Sequence, residues 1–95
     1  MVFEVSQRAQ KAIERIIAYY VENETPARAI KVLDSFLEIF QAAAKNPFIY
    51  PIDIRYKGKY EVRRGVIHQT FIFKYRVLKS KITILTIYHG KRNIG

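Results

Sequence analysis

Residues 82–93 read ITILTIYHGKRN, an apolar run that ends in His89, Gly90, Lys91 and Arg92. An imidazole beside a lysine and an arginine is a side-chain set suited to metal-independent cleavage of a phosphodiester. That chemistry needs a group titrating near neutrality to move a proton and cations to stabilise charge on the phosphate. Arginine suits the second task because its planar guanidinium engages two oxygens at once. His89 could act as acid or base, with Arg92 and Arg76 holding the phosphate. The plainer alternative is that His89 ends a strand and Lys91-Arg92 solvate a tail.

Other chemistries find little support. His68 and His89 are the two histidines, and neither stands at a metal-ligand spacing from carboxylates, so no metal is expected. The four glycines are scattered and form no phosphate-cradling loop. No Ser or Thr groups with a His and an acid for nucleophilic work, and no small-molecule cofactor is expected. The absence of cysteine removes disulfides and thiolate zinc sites, and fits a reducing compartment. The opening MVFEV has neither a basic nor an apolar leader region, so no signal peptide is expected. The apolar runs are too short to cross a membrane, and the expected location is cytoplasmic.

The net charge of +9 is unevenly placed. Residues 1–54 carry six Lys/Arg against seven Asp/Glu, while residues 55–95 carry eleven against the single acid Glu61. Such segregation is unnecessary for solubility and adds self-repulsion, so it points to an anionic partner, either nucleic acid or an acidic protein.

Hydrophobic periodicity gives the elements that must position these groups. Val2-Phe3-Glu4-Val5 reads as a short strand. Ala9, Ala12, Ile13, Ile16, Ile17, Tyr20 and Val21 recur at helical spacing, predicting an amphipathic helix over 7–22 with Ser6 as N-cap. Thr25-Pro26 starts a second helix, which Asn46-Pro47 stops. Ile30, Leu33, Leu37, Phe40 and Ala44 make one apolar stripe on it, and Val32, Phe36, Ile39 and Ala43 a second. So wide a surface is expected to meet both the first helix and a sheet. After a loop the period becomes two: strands over 59–64, 67–77 and 81–89, with turns at Arg64-Gly65 and Lys79-Ser80. The expected fold is α+β, order β-α-α-β-β-β, one domain over 1–95, with a helix hairpin on one face of a small, mainly antiparallel sheet. The uncovered face should display Lys74 and Arg76, with Lys59 and Arg63 as neighbours.

A β-α-α-β-β-β chain containing VSQRAQKAIERIIAYY, ETPARAIKVLDSFLEIF, FIFKYRV and then ITILTIYHGKRN resembles the RelE/ParE superfamily of toxins from bacterial type II toxin–antitoxin modules. The resemblance implies one of two activities. RelE-like members are endoribonucleases that cut mRNA in the ribosomal A site, and ParE-like members poison DNA gyrase. Arg92 matches the arginine after the last strand in RelE-like members, His89 matches a histidine of other ribonuclease members, and Lys57 and Lys59 lie in the segment that supplies catalytic lysines. The long helix hairpin and the His-Gly-Lys-Arg-Asn ending look more like the ParE-like branch, and two departures count against simple transfer of the ribonuclease set. Ile72 stands where ribonuclease members carry an arginine, and a tyrosine a few residues beyond Arg92 would fall after Gly95.

The expectation is therefore a toxin of the plasmid-stabilisation kind, inhibiting growth through a basic face and neutralised by an acidic antitoxin. Lys57, Lys59, Arg63, Lys74, Arg76 and Lys91 are its expected target-binding residues, with His89 and Arg92 as the candidate catalytic pair. A ribosome-dependent mRNA endoribonuclease is the alternative, and a non-toxic basic nucleic-acid-binding module the third reading.

Overall fold

The computed structural model describes residues 1–56 and 58–91. Its elements run β1 (Val2–Val5), α1 (Gln7–Asn23), α2 (Pro26–Lys45), β2 (Val62–Ile67), β3 (Phe71–Val77) and β4 (Lys81–His89). The order and class agree with the sequence expectation. The sheet order is β1-β4-β3-β2, with β1 parallel to β4 and the other pairs antiparallel. β4 thus lies between two strands, as expected of a central strand.

Each helix begins where its capping chemistry allows. The Ser6 hydroxyl accepts from the Ala9 N–H at 3.1 Å, and the Thr25 hydroxyl accepts from the Arg28 N–H at 3.0 Å with Pro26 at the first helical position. α1 buries Ala9, Ala12, Ile16 and Tyr20, and α2 buries Ala29, Val32, Phe36, Phe40, Ala43 and Ala44. These side chains meet Ile67, Phe71, Phe73, Tyr75, Ile82, Ile84 and Ile87 of the sheet. Full burial of each large side chain contributes about 1.5–3 kcal/mol. Edge-to-face rings, Phe36 on Phe71 at 4.9 Å among them, add specificity of geometry. The first stripe expected on α2 is used in part: Phe40 and Ala44 are buried, while Ile30 and Leu37 are exposed, because the core takes the side of Val32, Phe36, Phe40 and Ala43.

Two features of the sheet were not expected. The strand boundary differs first: Gly65 lies inside β2, and the chain turns at residues 67–70 instead. A Cβ on Gly65 would stand 2.5 Å from the Phe73 ring and 3.0 Å from Tyr50, so this glycine admits a ring. The turn uses His68 and Gln69 with φ of 51° and 59°, closed by the Thr70 N–H donating to the Ile67 carbonyl at 3.0 Å. Positive φ at both central residues fits the right-handed twist of a hairpin, but side-chain-bearing residues adopt it at a cost.

The second is a bulge. Lys74 pairs with Thr86 and Tyr75 with Ile84, so Leu85 is an extra residue in β4. Ile82 and Ile84 therefore share the hairpin side with Ile87 and His89 despite the change from even to odd numbers. Ser6 secures the bulge: its N–H donates to the Ile84 carbonyl at 3.0 Å and its hydroxyl donates to the Leu85 carbonyl at 3.1 Å.

Ser6→Ala is expected to lower unfolding free energy by about 1–2 kcal/mol in urea titrations, since one hydroxyl serves both helix cap and bulge. In the same assay Gln69→Gly is expected to raise it by roughly 0.5–1 kcal/mol by relieving the positive φ. An unchanged midpoint in either variant would contradict the corresponding role.

Candidate functional site

With the hairpin on one side, the register assigns the residues of the opposite face. They fall in three rows across the sheet: Val66–Ile72–Tyr88, Arg64–Lys74–Thr86 and Val62–Arg76–Thr83. Lys81 of β4 and Glu4 of β1 continue the layer toward the other edge, paired at 2.8 Å. Both are well exposed, so that pair contributes little to stability.

Residues of the α2–β2 loop reach onto this face. Ile52 forms a bridge with Arg63 at the β2 edge, and the Asp53 N–H donates to the Val62 carbonyl at 2.8 Å. This brings the buried Asp53 carboxylate to 2.9 Å from the Lys74 ammonium, with its other oxygen accepting from the Arg55 N–H at 3.1 Å. The hydrogen bond from Lys74 lowers the Asp53 pKa below its ordinary 3.8, and the Arg55 amide acts in the same direction against desolvation. The pair holds the loop to the sheet and neutralises one of the face's cations.

Arg76 and Lys59 come together around a ring. The Arg76 guanidinium lies 5.1 Å from the centre of Tyr60, and the Lys59 ammonium 5.9 Å from the same ring. The Arg76 Nε is buried without a hydrogen-bond partner among the described residues.

Arg63 is a correction. It shares the hairpin side with Tyr75, because the chain turns at residues 67–70 and not at Arg64-Gly65. Its Nε donates to Glu61 at 2.7 Å, a terminal nitrogen donates to the Tyr50 carbonyl at 2.7 Å, and its guanidinium lies 5.0 Å from the Phe48 ring. Those contacts tie down the loop and leave little of the group for a target. Nearby, the Tyr75 hydroxyl donates to the Pro47 carbonyl at 2.7 Å, fixing the loop's start. Burial raises the pKa of that hydroxyl.

His89 also falls away from the cationic rows. It pairs with Phe71 on the hairpin side, with the two rings in edge contact at 5.3 Å. Its Nδ1 accepts from the Lys91 N–H at 3.0 Å, which places the proton of the neutral ring on Nε2. Lys91 is exposed beyond the strand, and Lys57 and Arg92 lie outside the described residues.

Sequence reasoning missed Arg8, Asp53, Arg55 and Arg64. Arg64 is expected in a turn, although Val62 and Val66 on either side of it repeat the strand period that places it. Arg8 and Arg55 come from distant parts of the chain and meet at one cleft, lined also by Lys74 and Thr86. Nothing in their local sequence signals that meeting.

The model of the ParE toxin of the type II toxin–antitoxin system, parDE, matches residues 3–94. The chain belongs to the ParE toxin family. Among solved structures it is similar to a chain of the chromosomal ParDE system from P. aeruginosa, with a TM-score of 0.71 and 21% identity over 92% of each chain. At that identity the likeness concerns the fold. Comparison with curated proteins returns no match.

In this ParE-family chain the Asp53–Lys74 pair should leave a pH signature. A carboxylate whose folded pKa is depressed contributes stability present above its unfolded value and lost as pH falls through the folded one. Asp53→Asn is expected to cost on the order of 1–3 kcal/mol at neutral pH, since it leaves a half-buried ammonium unpaired. In denaturant titrations the wild-type advantage should shrink as pH falls below 3.8. A gap between wild type and variant that does not change with pH would rule out this role for the ion pair.

Proposed function

We propose that this chain is the growth-inhibiting toxin of a type II module of the plasmid-stabilisation kind, acting in the cytoplasm. An acidic antitoxin neutralises it by folding onto the cationic sheet face and the helix hairpin, and DNA gyrase is its target. The family match over residues 3–94 supports the toxin reading. Lys74, Arg76 and Arg64 on one face, with Lys59 beside Arg76, supply a surface complementary to an acidic segment.

One observation weighs against a catalytic site built from His89 and the cations of the sheet face. Proton transfer requires the acid or base within hydrogen-bond reach of the atoms held by the phosphate-binding cations. His89 pairs with Phe71 at one end of β3, whereas Arg76 pairs with Thr83 near the other and faces the opposite side. Five residues of strand separate the two positions, roughly 17 Å along the sheet. The row that flanks the His89 end on the cationic side is Val66, Ile72 and Tyr88, which offers a phosphate no cation. His89, Arg76 and Lys74 therefore do not converge on a single scissile bond. The cations serve as recognition groups.

The reading is tested by adding purified protein to gyrase with supercoiled plasmid and, separately, to a translating extract. Cleaved or linearised DNA that depends on gyrase is expected, with transcripts intact and induced expression arresting bacterial growth. Cleaved transcripts that disappear in His89→Ala and Arg92→Ala would favour the ribosome-dependent endoribonuclease. Direct, salt-sensitive nucleic-acid binding without growth arrest would favour a simple binding module.

A further inference from the structure

A cleft of about 280 Å³ opens on the cationic face between Arg8, in the first turn of α1, and Arg55, in the α2–β2 loop. Asp53, Tyr56, Val62, Lys74, Leu85 and Thr86 complete its lining. Leu85 is the bulge residue, and a bulge commonly re-aims a side chain toward a site. Lys74 is already paired with Asp53 at 2.9 Å. The guanidinium groups of Arg8 and Arg55 are different: neither has an ion pair or a side-chain hydrogen bond to any described residue. Two guanidiniums that neither donate to nor ion-pair with a described side chain, one hydroxyl and Leu85 therefore meet in one small space, where Asp53 acts on the Arg55 guanidinium through space alone.

We propose that this cleft receives a Glu or Asp carboxylate, flanked by an apolar residue, from an extended segment of the acidic antitoxin. This rests on the toxin–antitoxin reading and names the place where that partner is anchored. A carboxylate matches guanidinium geometry and leaves the neighbouring apolar side chain to cover the half-buried Leu85. A phosphodiester backbone has no apolar group to place there. The charge imbalance of residues 55–95, eleven Lys/Arg against one acid, supplies the wider attraction.

The test is an NMR titration of the isotope-labelled full chain with three probes: the blocked peptide Leu-Glu-Leu, its Leu-Gln-Leu counterpart, and inorganic phosphate. Saturable shifts are expected at the amides of Arg8, Arg55, Leu85 and Thr86. The Glu peptide should bind about tenfold more tightly than the Gln peptide, and about tenfold more tightly to wild type than to the Arg8→Ala/Arg55→Ala double variant. Both arginines are exposed, so the variant should keep the wild-type spectrum elsewhere, and Lys79→Ala in the β3–β4 turn should bind like wild type. The absence of saturable shifts overturns the proposal, as does equal affinity for the Gln peptide or for the double variant. Phosphate binding more tightly than the Glu peptide at the same amides would assign the cleft to a phosphate-bearing ligand and equally overturn it. Because the titration needs no growth arrest, arrest with an empty cleft removes this inference alone. A carboxylate-binding cleft in a chain that arrests nothing would instead remove the toxin reading.

Discussion

The arrangement of the cationic face depends on one irregularity, the extra residue at Leu85, and on the serine that satisfies it. A strand of strict alternation would send Ile82 and Ile84 to one side and Ile87 and His89 to the other. The bulge reverses the parity midway, so all three isoleucines reach the core and Thr83, Thr86 and Tyr88 are left for the opposite face. It requires the Leu85 carbonyl to find a partner outside the regular ladder, and Ser6 provides one while capping α1. The start of the first helix and the kink of the central strand are therefore one structural event, linked across 79 residues of sequence. This linkage also brings Arg8, two residues after Ser6, to the cleft beside Leu85.

The α2–β2 loop turns a bare sheet into a shaped surface. Arg63 and Tyr75 grip its first half on the hairpin side, through the carbonyls of Tyr50 and Pro47. Asp53 grips its second half on the cationic side, through Lys74. The loop thus wraps the β2 edge and is held on both faces by polar groups, leaving Phe48, Ile49, Ile52 and Ile54 exposed along it. An arginine that looks available in the sequence is consumed as scaffold, and an aspartate that looks incidental sets the local charge. The resulting face has fewer free cations than the composition implies, but those that remain are grouped.

The elements were legible in the sequence wherever local chemistry decides. Ser6 and Thr25-Pro26 announced the two helix starts, Asn46-Pro47 announced the end of the second, and the alternation Phe71, Phe73, Tyr75, Val77 gave the core side of β3. The reading failed where local signals mislead. Gly65 looked like a turn residue but serves the Phe73 ring, and His68-Gln69 turns the chain without glycine, asparagine or proline. That one displaced turn carried Arg63 to the wrong face and hid Arg64.

By itself the sequence determined the α+β order, the apolar sides of the helices and β3, and the concentration of positive charge after residue 54, because these follow from periodicity and composition. Which cations share a surface, and that His89 is not among them, was decided by tertiary structure. Side-chain parity along β4 is set by a bulge whose compensating hydrogen bond comes from the far end of the chain. A two-residue period carries no record of where such an interruption falls.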